Sequence, residues 1–253
     1  MVLNIMSYKI LVSGLSDVGL VRQNNEDVWG ELPEEQFFVL ADGMGGHQAG
    51  EIASRQAVDN LCRLFKEKFN NPDISLNHAR QLIEDAIREV NRIVFKMGYQ
   101  QEKLHGMGTT LCCIYLHKDG LVYGHVGDSR IYRLRNHTLK QLTHDHSLVR
   151  ELIELGQIKE EQAGEFLYKN IITKAIGTEP EVKPSVKIDE LLVGDVILMC
   201  TDGLTDLLNF QEIQMILQQK PDKEMASSLV KFAKMKGGFD NITVVVVKIQ
   251  GKM

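Results

Sequence analysis

The sequence of 253 residues has little of what marks the specialised classes of protein. Its four cysteines include no CxxC pair, and we expect them to be reduced residues of the core. The N-terminal apolar stretch has no basic segment before it and is interrupted by Asn4, Ser7 and Lys9, unlike a signal peptide or a membrane span. We therefore expect a cytoplasmic protein without a membrane partner.

Basic patches are also lacking. With 29 Lys and Arg against 34 Asp and Glu the net charge is −5, and no basic cluster interleaved with aromatic residues is present, which argues against a nucleic-acid partner. The 43% of hydrophobic and 25% of charged residues are typical of a soluble globular protein, and the length suffices for one large core. We expect a single domain over residues 1–253. No helix has an uncommitted apolar face long enough to indicate a dimer, so a monomer is the default expectation.

Several signatures of catalysis and nucleotide binding are missing. Neither GxSxG nor HExxH occurs, which removes the main support for a serine hydrolase or a zinc protease. No GxxxxGK[ST] occurs, and the glycine-rich run DGMGGHQAG does not fit GxGxxG. The sequence therefore gives no support for a nucleotide-binding fold.

The apolar patterns that are present predict strands and helices in blocks. Short apolar and β-branched runs predict strands at 37–41, 108–117, 121–126, 130–135, 195–201 and 242–249. Amphipathic stretches predict helices at 53–69, 76–97, 212–219 and 222–236. This order favours an α+β fold with largely antiparallel sheets over a βαβ alternation. The polar stretch at 144–174, with a short helix capped by Ser147, is interpreted as an inserted flap.

Four aspartates stand at the ends of strong strands. Asp42, Asp128 and Asp202 each follow a strand, and Asp240 precedes the last one. If the strands are neighbours, these carboxylates crowd one cleft, where like charges raise one another's pKa and favour a bound cation. Oxygen ligands without His or Cys favour Mg²⁺ or Mn²⁺ over Zn²⁺. The alternative, more plausible for any single aspartate than for the set, is that each is a turn or cap residue.

Other polar residues lie near these acids in the sequence. Arg22 precedes Asp27 in RQNNED, where its guanidinium could either pair with the acids or grip a phosphate. His47 follows the glycine run on a polar stretch and is accessible for proton transfer. His144 and His146 flank Asp145, but no third imidazole or thiol has the spacing of a zinc site.

Eight motifs together resemble a known family. In order and spacing, SDVGLVRQNNED, VLADGMGGHQAGE, GMGTTL, HVGDSRIYRL, LTHDHSLV, ITKAIGT, CTDGLTD and FDNITVVVV resemble the bacterial metal-dependent serine/threonine phosphatases of the protein phosphatase 2C family. The resemblance runs over residues 16–247. It implies a four-layer αββα sandwich, in which two antiparallel sheets are flanked by helices.

The resemblance also implies a metal centre of two Mn²⁺ or Mg²⁺ ions. Asp42 would bridge the two ions, with the carbonyl of Gly43 on the first ion and Asp202 and Asp240 on the second. Asp128, together with Asp202, would bind a third and weaker ion. These assignments come from the family resemblance and not from spacing.

The remaining implied roles concern water, substrate and proton transfer. Asp27, with Glu26 beside it, would hold a water of the metal centre, Arg22 would bind the phosphate, and His47 would be the general acid. The implied activity is hydrolysis of phosphoserine and phosphothreonine in proteins by direct attack of water, without a phosphoenzyme. A cognate serine/threonine kinase is an expected partner.

The flap is the main departure from the family pattern. Bacterial relatives often have a segment like His-Pro-x-Arg-Asn there, whereas this chain has GEFLYKNIIT, in which Lys169 offers a point charge in place of an arginine fork. The departure bears on substrate choice and leaves the metal ligands intact. Two other functions stay open: a catalytically silent phosphatase-like module that binds phosphoproteins, and a metal-dependent nuclease, which the net charge of −5 disfavours.

Overall fold

The computed structural model describes residues 8–45, 49–69, 71, 73–159, 162, 166, 168 and 170–252. In these residues two antiparallel sheets pack face to face, and helices cover the outer face of each. The predicted α+β class and four-layer sandwich are therefore confirmed.

The eleven described strands make two sheets. In chain order the strands are β1 (Tyr8–Asp17), β2 (Asp27–Leu32), β3 (Phe37–Met44), β4 (Gly108–Thr109), β5 (Leu111–His117), β6 (Gly120–Val126), β7 (Arg130–Arg135), β8 (Thr138–Gln141), β9 (Ser185–Asp189), β10 (Val196–Cys200) and β11 (Ile242–Lys252). The first sheet has the order β1-β11-β10-β7-β8, and the second has the order β2-β3-β5-β6-β9, with β4 paired to β3. Each strand pairing is antiparallel.

The helices follow the same division. They are α1 (Ala49–Lys68), α2 (Leu76–Gln100), α3 (Leu148–Glu154), α4 (Asp202–Thr205), α5 (Phe210–Gln219) and α6 (Met225–Met235). The apolar stripes of α1 and α2 pack on the second sheet, and those of α5 and α6 pack on the first. Short α3 lies in the segment 144–174, hereafter the flap segment, and begins at the predicted cap Ser147.

Strand β11 shows how the sequence pattern builds the layers. Successive side chains of a strand point to opposite faces of its sheet. Val244 and Val246 accordingly pack against the helices, while Val245 and Val247 pack between the two sheets. A nearly continuous apolar run is therefore required, because both faces of this strand are buried over most of its length.

The structure corrects several predicted boundaries. The predicted strand 108–117 is divided at Thr110 into β4 and β5, and the predicted helix 222–236 begins as a 3-10 turn at Asp222–Glu224. Helix α5 begins at Phe210, two residues before the prediction, because Asn209 and Glu212 form a capping box. The strands β1, β2, β8 and β9, which the sequence patterns do not predict, are the four edge strands.

Candidate active site

Four of the predicted acids meet where the ends of the two sheets come together. Asp27 of β2 and Asp42 of β3 are directly opposite each other across the second sheet. In the first sheet, Asp202 begins α4 two residues after β10, and Asp240 stands two residues before the neighbouring β11. The antiparallel pairing thus brings acids that are far apart in sequence to one edge.

Hydrogen bonds between the sheets hold this edge in place. The Thr201 hydroxyl donates to Oδ2 of Asp27 at 2.9 Å and accepts from the amide of Thr243 at 3.0 Å. The amide of Glu26 donates to the Asn241 side chain at 2.8 Å. Thr201 and Asn241 were not predicted as site residues, although both lie beside predicted acids, in the motifs CTDGLTD and FDNITVVVV.

The backbone around Asp42 is equally constrained. The Asp42 amide donates to the Thr110 hydroxyl at 2.9 Å, and the Thr110 amide donates to the Asp42 carbonyl at 2.8 Å. The Gly43 amide donates to the Glu26 carbonyl at 3.1 Å. A Cβ at Gly43 would collide with the backbone carbonyl of Gly50, so this close approach requires glycine.

A cleft of about 290 Å³ brings most of the predicted site together. Its lining includes seven of the predicted site residues: Arg22, Glu26, Asp42, Gly43, Asp128, Asp202 and Asp240. Asp27 is buried, with 5% of its surface exposed, and is not among the lining residues. His47 and Lys169 lie outside the described residues.

The flap segment contributes Asn170 and Ile172 to the lining of this cleft. A second cavity of about 650 Å³ shares Asp128, Asn170 and Asp202 with the cleft.

The buried carboxylates of the cleft have raised pKa values. Burial, followed by the charges of Asp27, Asp202 and Asp128, raises the pKa of Asp42 well above its ordinary value. Burial is also the largest cause at Asp27 and Asp128, whose pKa is raised to about 7, and at Asp202, where it is raised to about 6. The protein's own groups therefore do not compensate these negative charges.

The donor set fits a divalent cation. Oδ1 of Asp27 is buried without a hydrogen-bond partner in the structure, and Asp42 shares a hydrogen bond with the carboxyl of Asp202. Within the described part of the chain, no three His, Cys, Asp or Glu side chains converge as a ready-made metal site. The acids instead line an open cleft, which suits ions that keep several water ligands, as Mg²⁺ does.

Arg22 forms an ion pair at the mouth of the cleft. Its Nη2 atom lies 2.8 Å from Oδ2 of Asp240, and the two side chains are 57% and 38% exposed. Such an exposed pair contributes little to stability. A structural role in this ion pair is therefore one interpretation of Arg22, which also lines the cleft that holds the acids.

Comparison with known proteins identifies the family. The family described as protein phosphatase 2C matches residues 17–234. The chain belongs to the protein phosphatase 2C family. It is 37% identical over 237 residues to the serine/threonine phosphatase Stp of Listeria monocytogenes serotype 4b, covering 92% of this chain and 93% of that protein. It is 38% identical over 242 residues to the protein phosphatase PhpP of Streptococcus pneumoniae serotype 2, covering 94% and 97%.

Solved structures of other phosphatases have the same fold. The Mycobacterium tuberculosis phosphatase PstP/Ppp superposes with a TM-score of 0.87 at 36% identity, covering 95% of this chain and 99% of that chain. Stp1 of Staphylococcus aureus gives a TM-score of 0.89 at 34% identity, covering 96% of both chains. The catalytic domain of PstP in complex with two manganese ions gives a TM-score of 0.84 at 36% identity, covering 95% of this chain and 98% of that chain.

These comparisons confirm the predicted activity class. This protein phosphatase 2C is a metal-dependent serine/threonine protein phosphatase, and neither the silent module nor the nuclease is supported. Among the described residues, no helix has the length and apolar character needed to cross a membrane.

Proposed function

We propose that this phosphatase hydrolyses phosphoserine and phosphothreonine at two Mn²⁺ or Mg²⁺ ions held by Asp42, the Gly43 carbonyl, Asp202 and Asp240. The observation that carries the assignment is the Asp42 carboxyl, which is buried beside other carboxyls and has its pKa raised by Asp27, Asp202 and Asp128. A bound cation would compensate the charges of these carboxylates at neutral pH. The manganese-bound PstP structure supports the choice of metal.

The metal ions, when bound, would activate a water for attack on phosphorus and neutralise charge on the phosphoryl oxygens. Asp27, whose Oδ1 atom is buried without a hydrogen-bond partner, and Glu26, which lines the cleft, would hold a water beside the ions. Arg22 binds the phosphate, and His47 donates a proton to the leaving serine or threonine oxygen. Asp128, with Asp202, would hold the third and weaker ion.

The biological setting is proposed on the same basis. We infer that phosphorylated proteins are the substrates and that a serine/threonine kinase supplies them. The protein acts as a monomer in the cytoplasm, as one domain over residues 1–253 with a flap at 144–174. The flap segment lines the catalytic cleft with Asn170 and Ile172, which supports a role in substrate choice.

Replacing Arg22 with alanine is expected to raise KM for a phosphothreonine peptide by roughly 10- to 100-fold, since a charge-assisted hydrogen bond contributes about 1.5–3 kcal/mol. Steady-state kinetics at saturating Mn²⁺ measure this. Arg92→Ala is the matched control, because Arg92 is 61% exposed on α2 and pairs with Glu89. An unchanged KM in Arg22→Ala would assign Arg22 a purely structural role.

Replacing His47 with alanine is expected to slow hydrolysis of a phosphothreonine peptide by about 10²- to 10⁴-fold, the usual contribution of general acid catalysis. Hydrolysis of p-nitrophenyl phosphate should fall far less, because a nitrophenolate leaves without needing a proton. The comparison of kcat on both substrates measures the effect, and His78→Ala, at an exposed position on α2, is the control. Equal losses on the two substrates would rule out His47 as the acid.

A further inference from the structure

Exposed apolar side chains border the mouth of the catalytic cleft. Leu20 and Val21 are each 61% exposed, and Phe239 is 62% exposed. Each of the three stands one or two positions from Arg22 or Asp240, which line the cleft. Single exposed apolar residues are normal on a protein surface, whereas apolar residues that are grouped in one patch mark interaction sites. These three side chains are hereafter called the apolar rim.

Two loops carry the apolar rim, and contacts between them join it into one surface. The Leu20 amide donates to the carbonyl of Gly238, the residue before Phe239, at 2.7 Å. A Cβ added at Gly238 would lie 3.1 Å from Cγ of Leu20, so the Leu20 side chain packs over the backbone of this glycine. Gly238 has a φ of +52°, a conformation that favours glycine. The two parts of the rim therefore lie side by side.

Further hydrogen bonds fix the loop that carries Leu20 and Val21. The side-chain amide of Asn241 donates to the carbonyls of Val18 and Asn24 at 3.1 and 2.9 Å. The Gly19 amide donates to Oδ1 of Asp17 at 2.9 Å. The backbone under the rim is thus ordered without a partner, and binding at the rim does not have to pay for ordering this loop.

The distance from the rim to the phosphate site fits a neighbouring side chain of the substrate. Consecutive Cα atoms are about 3.8 Å apart, so the Cα atom of Leu20 lies at most about 7.6 Å from that of Arg22. Phe239 adjoins Asp240, whose Oδ2 atom lies 2.8 Å from Nη2 of Arg22. An extended peptide advances about 3.3 Å per residue. A residue within about two positions of a phosphothreonine held at Arg22 therefore reaches the rim.

The charged groups beside the rim already have partners. At the end of α6, next to Gly238, Lys234 pairs with Asp17 at 2.8 Å and Lys236 pairs with Glu212 at 2.6 Å. A charged residue of a substrate would have to compete with these ion pairs. An apolar residue would instead gain free energy by removing the apolar rim from water. The surface thus favours an apolar neighbour of the phosphorylated residue over a charged one.

We propose that the apolar rim selects phosphoserine and phosphothreonine sites that have an apolar residue within about two positions of the phosphorylated one. The inference rests on the proposed binding of phosphate by Arg22, and it adds a class of substrate sequence to the activity. The occupant is a segment of the substrate because the rim continues directly into the cleft through Arg22 and Asp240. Leu20, Val21 and Phe239 are specificity-determining residues in this proposal.

Paired peptides test the proposal. Each peptide contains one phosphothreonine, and the two positions on either side of it hold leucine in one peptide and asparagine, which has a similar size, in the other. The readout is the ratio of kcat/KM for the two peptides, measured with the full-length protein in Mn²⁺. We expect a ratio of about tenfold or more in favour of leucine. Tenfold corresponds to about 1.4 kcal/mol, less than the complete burial of one leucine side chain supplies, so partial burial suffices.

A double variant removes two of the three rim side chains. In Leu20→Asn/Phe239→Asn both changes are at exposed positions, and we expect the ratio to fall to about twofold or less. The ratio is insensitive to a general loss of activity through the neighbouring Asp240. Val193→Asn is the matched control, because Val193 is 54% exposed and precedes β10, at the opposite end of this strand from Asp202. This control should keep the wild-type ratio.

Two results would overturn the proposal: a wild-type ratio near one, or a preference for leucine that Leu20→Asn/Phe239→Asn retains. A ratio near one, together with a wild-type dimer in light scattering that the double variant loses, would assign the rim to a second copy of this chain.

The phosphate site is tested separately with the same peptides. Arg22→Ala should raise KM for both peptides alike and keep the ratio. An unchanged KM for both peptides would overturn phosphate binding by Arg22, whereas a preference for leucine that is lost in the double variant would still support the apolar rim.

Discussion

Replacing Asp202 with asparagine is expected to abolish turnover while leaving the fold intact. Asp202 lies at the first turn of α4, its pKa is raised by burial and then by the charges of Asp206 and Asp240, and its carboxyl shares a hydrogen bond with Asp42. Divalent ions supply several kcal/mol of transition-state stabilisation, and each 1.4 kcal/mol changes the rate about tenfold. Loss of this ligand should therefore lower kcat by on the order of 10³-fold.

The same substitution removes a negative charge from a crowded cleft. Without metal ions, the asparagine variant should thus unfold at the same temperature as the wild type or a higher one. Kinetics on a phosphothreonine peptide, beside thermal unfolding in EDTA, measure both effects. Asp119→Asn is the matched control, because Asp119 is 63% exposed and lies at the far end of the β5–β6 hairpin. Undiminished activity of Asp202→Asn would contradict the assignment of Asp202 as a metal ligand.

Without metal ions, the folded protein is expected to lose stability as the pH rises through about 6 to 7. Asp128 and Asp27 have a pKa raised to about 7, and Asp202 to about 6, whereas unfolded aspartates titrate near about 4. Groups with a raised pKa favour folding below the unfolded value, and this contribution is lost as the pH rises through the folded values. Each pKa unit corresponds to about 1.4 kcal/mol, so the crowding costs on the order of several kcal/mol at pH 8.

Metal ions should reverse this pH dependence, because a divalent cation replaces the protons among the carboxylates. The increase in Tm on adding Mn²⁺ should be on the order of 10 °C at pH 8 and close to zero at pH 5. Thermal unfolding at a series of pH values in EDTA and in Mn²⁺ measures it. Asp17 and Glu84 have the opposite pH dependence, because hydrogen bonds with lysine and arginine lower their pKa values. Their contribution is the same in EDTA and in Mn²⁺, so it cancels in the difference between the two Tm values. An equal increase in Tm at pH 5 and pH 8 would show that the cation does not replace protons among these carboxylates.

The sequence predicts the interior of the two sheets well and their edges poorly. The strands with two neighbours, such as β10 and β11, have apolar residues on both faces, and their runs stand out in the sequence. The four edge strands have a neighbour on one side only and are shorter, more polar or partly exposed, as in β8 and β9. Hydrophobic patterning alone does not distinguish such segments from loops.

The candidate site divides in a similar way. The acids Asp42, Asp128, Asp202 and Asp240 could be predicted because each adjoins a strong strand. The contact between Thr201 and Asp27 could not, because it joins residues 174 positions apart and depends on how the two sheets pack. The ion pair of Arg22 with Asp240, across 218 positions, is of the same kind.

Hydrolysis of a phosphothreonine peptide by the full-length protein in Mn²⁺, in Mg²⁺ and in EDTA tests whether the protein is a metal-dependent phosphatase. We expect release of inorganic phosphate with added metal ions and none in EDTA, with activity restored when Mn²⁺ is returned in excess. Undiminished release of phosphate in EDTA would show that the activity does not depend on metal ions. The absence of release with either metal, from protein shown to be folded, would contradict the phosphatase activity itself.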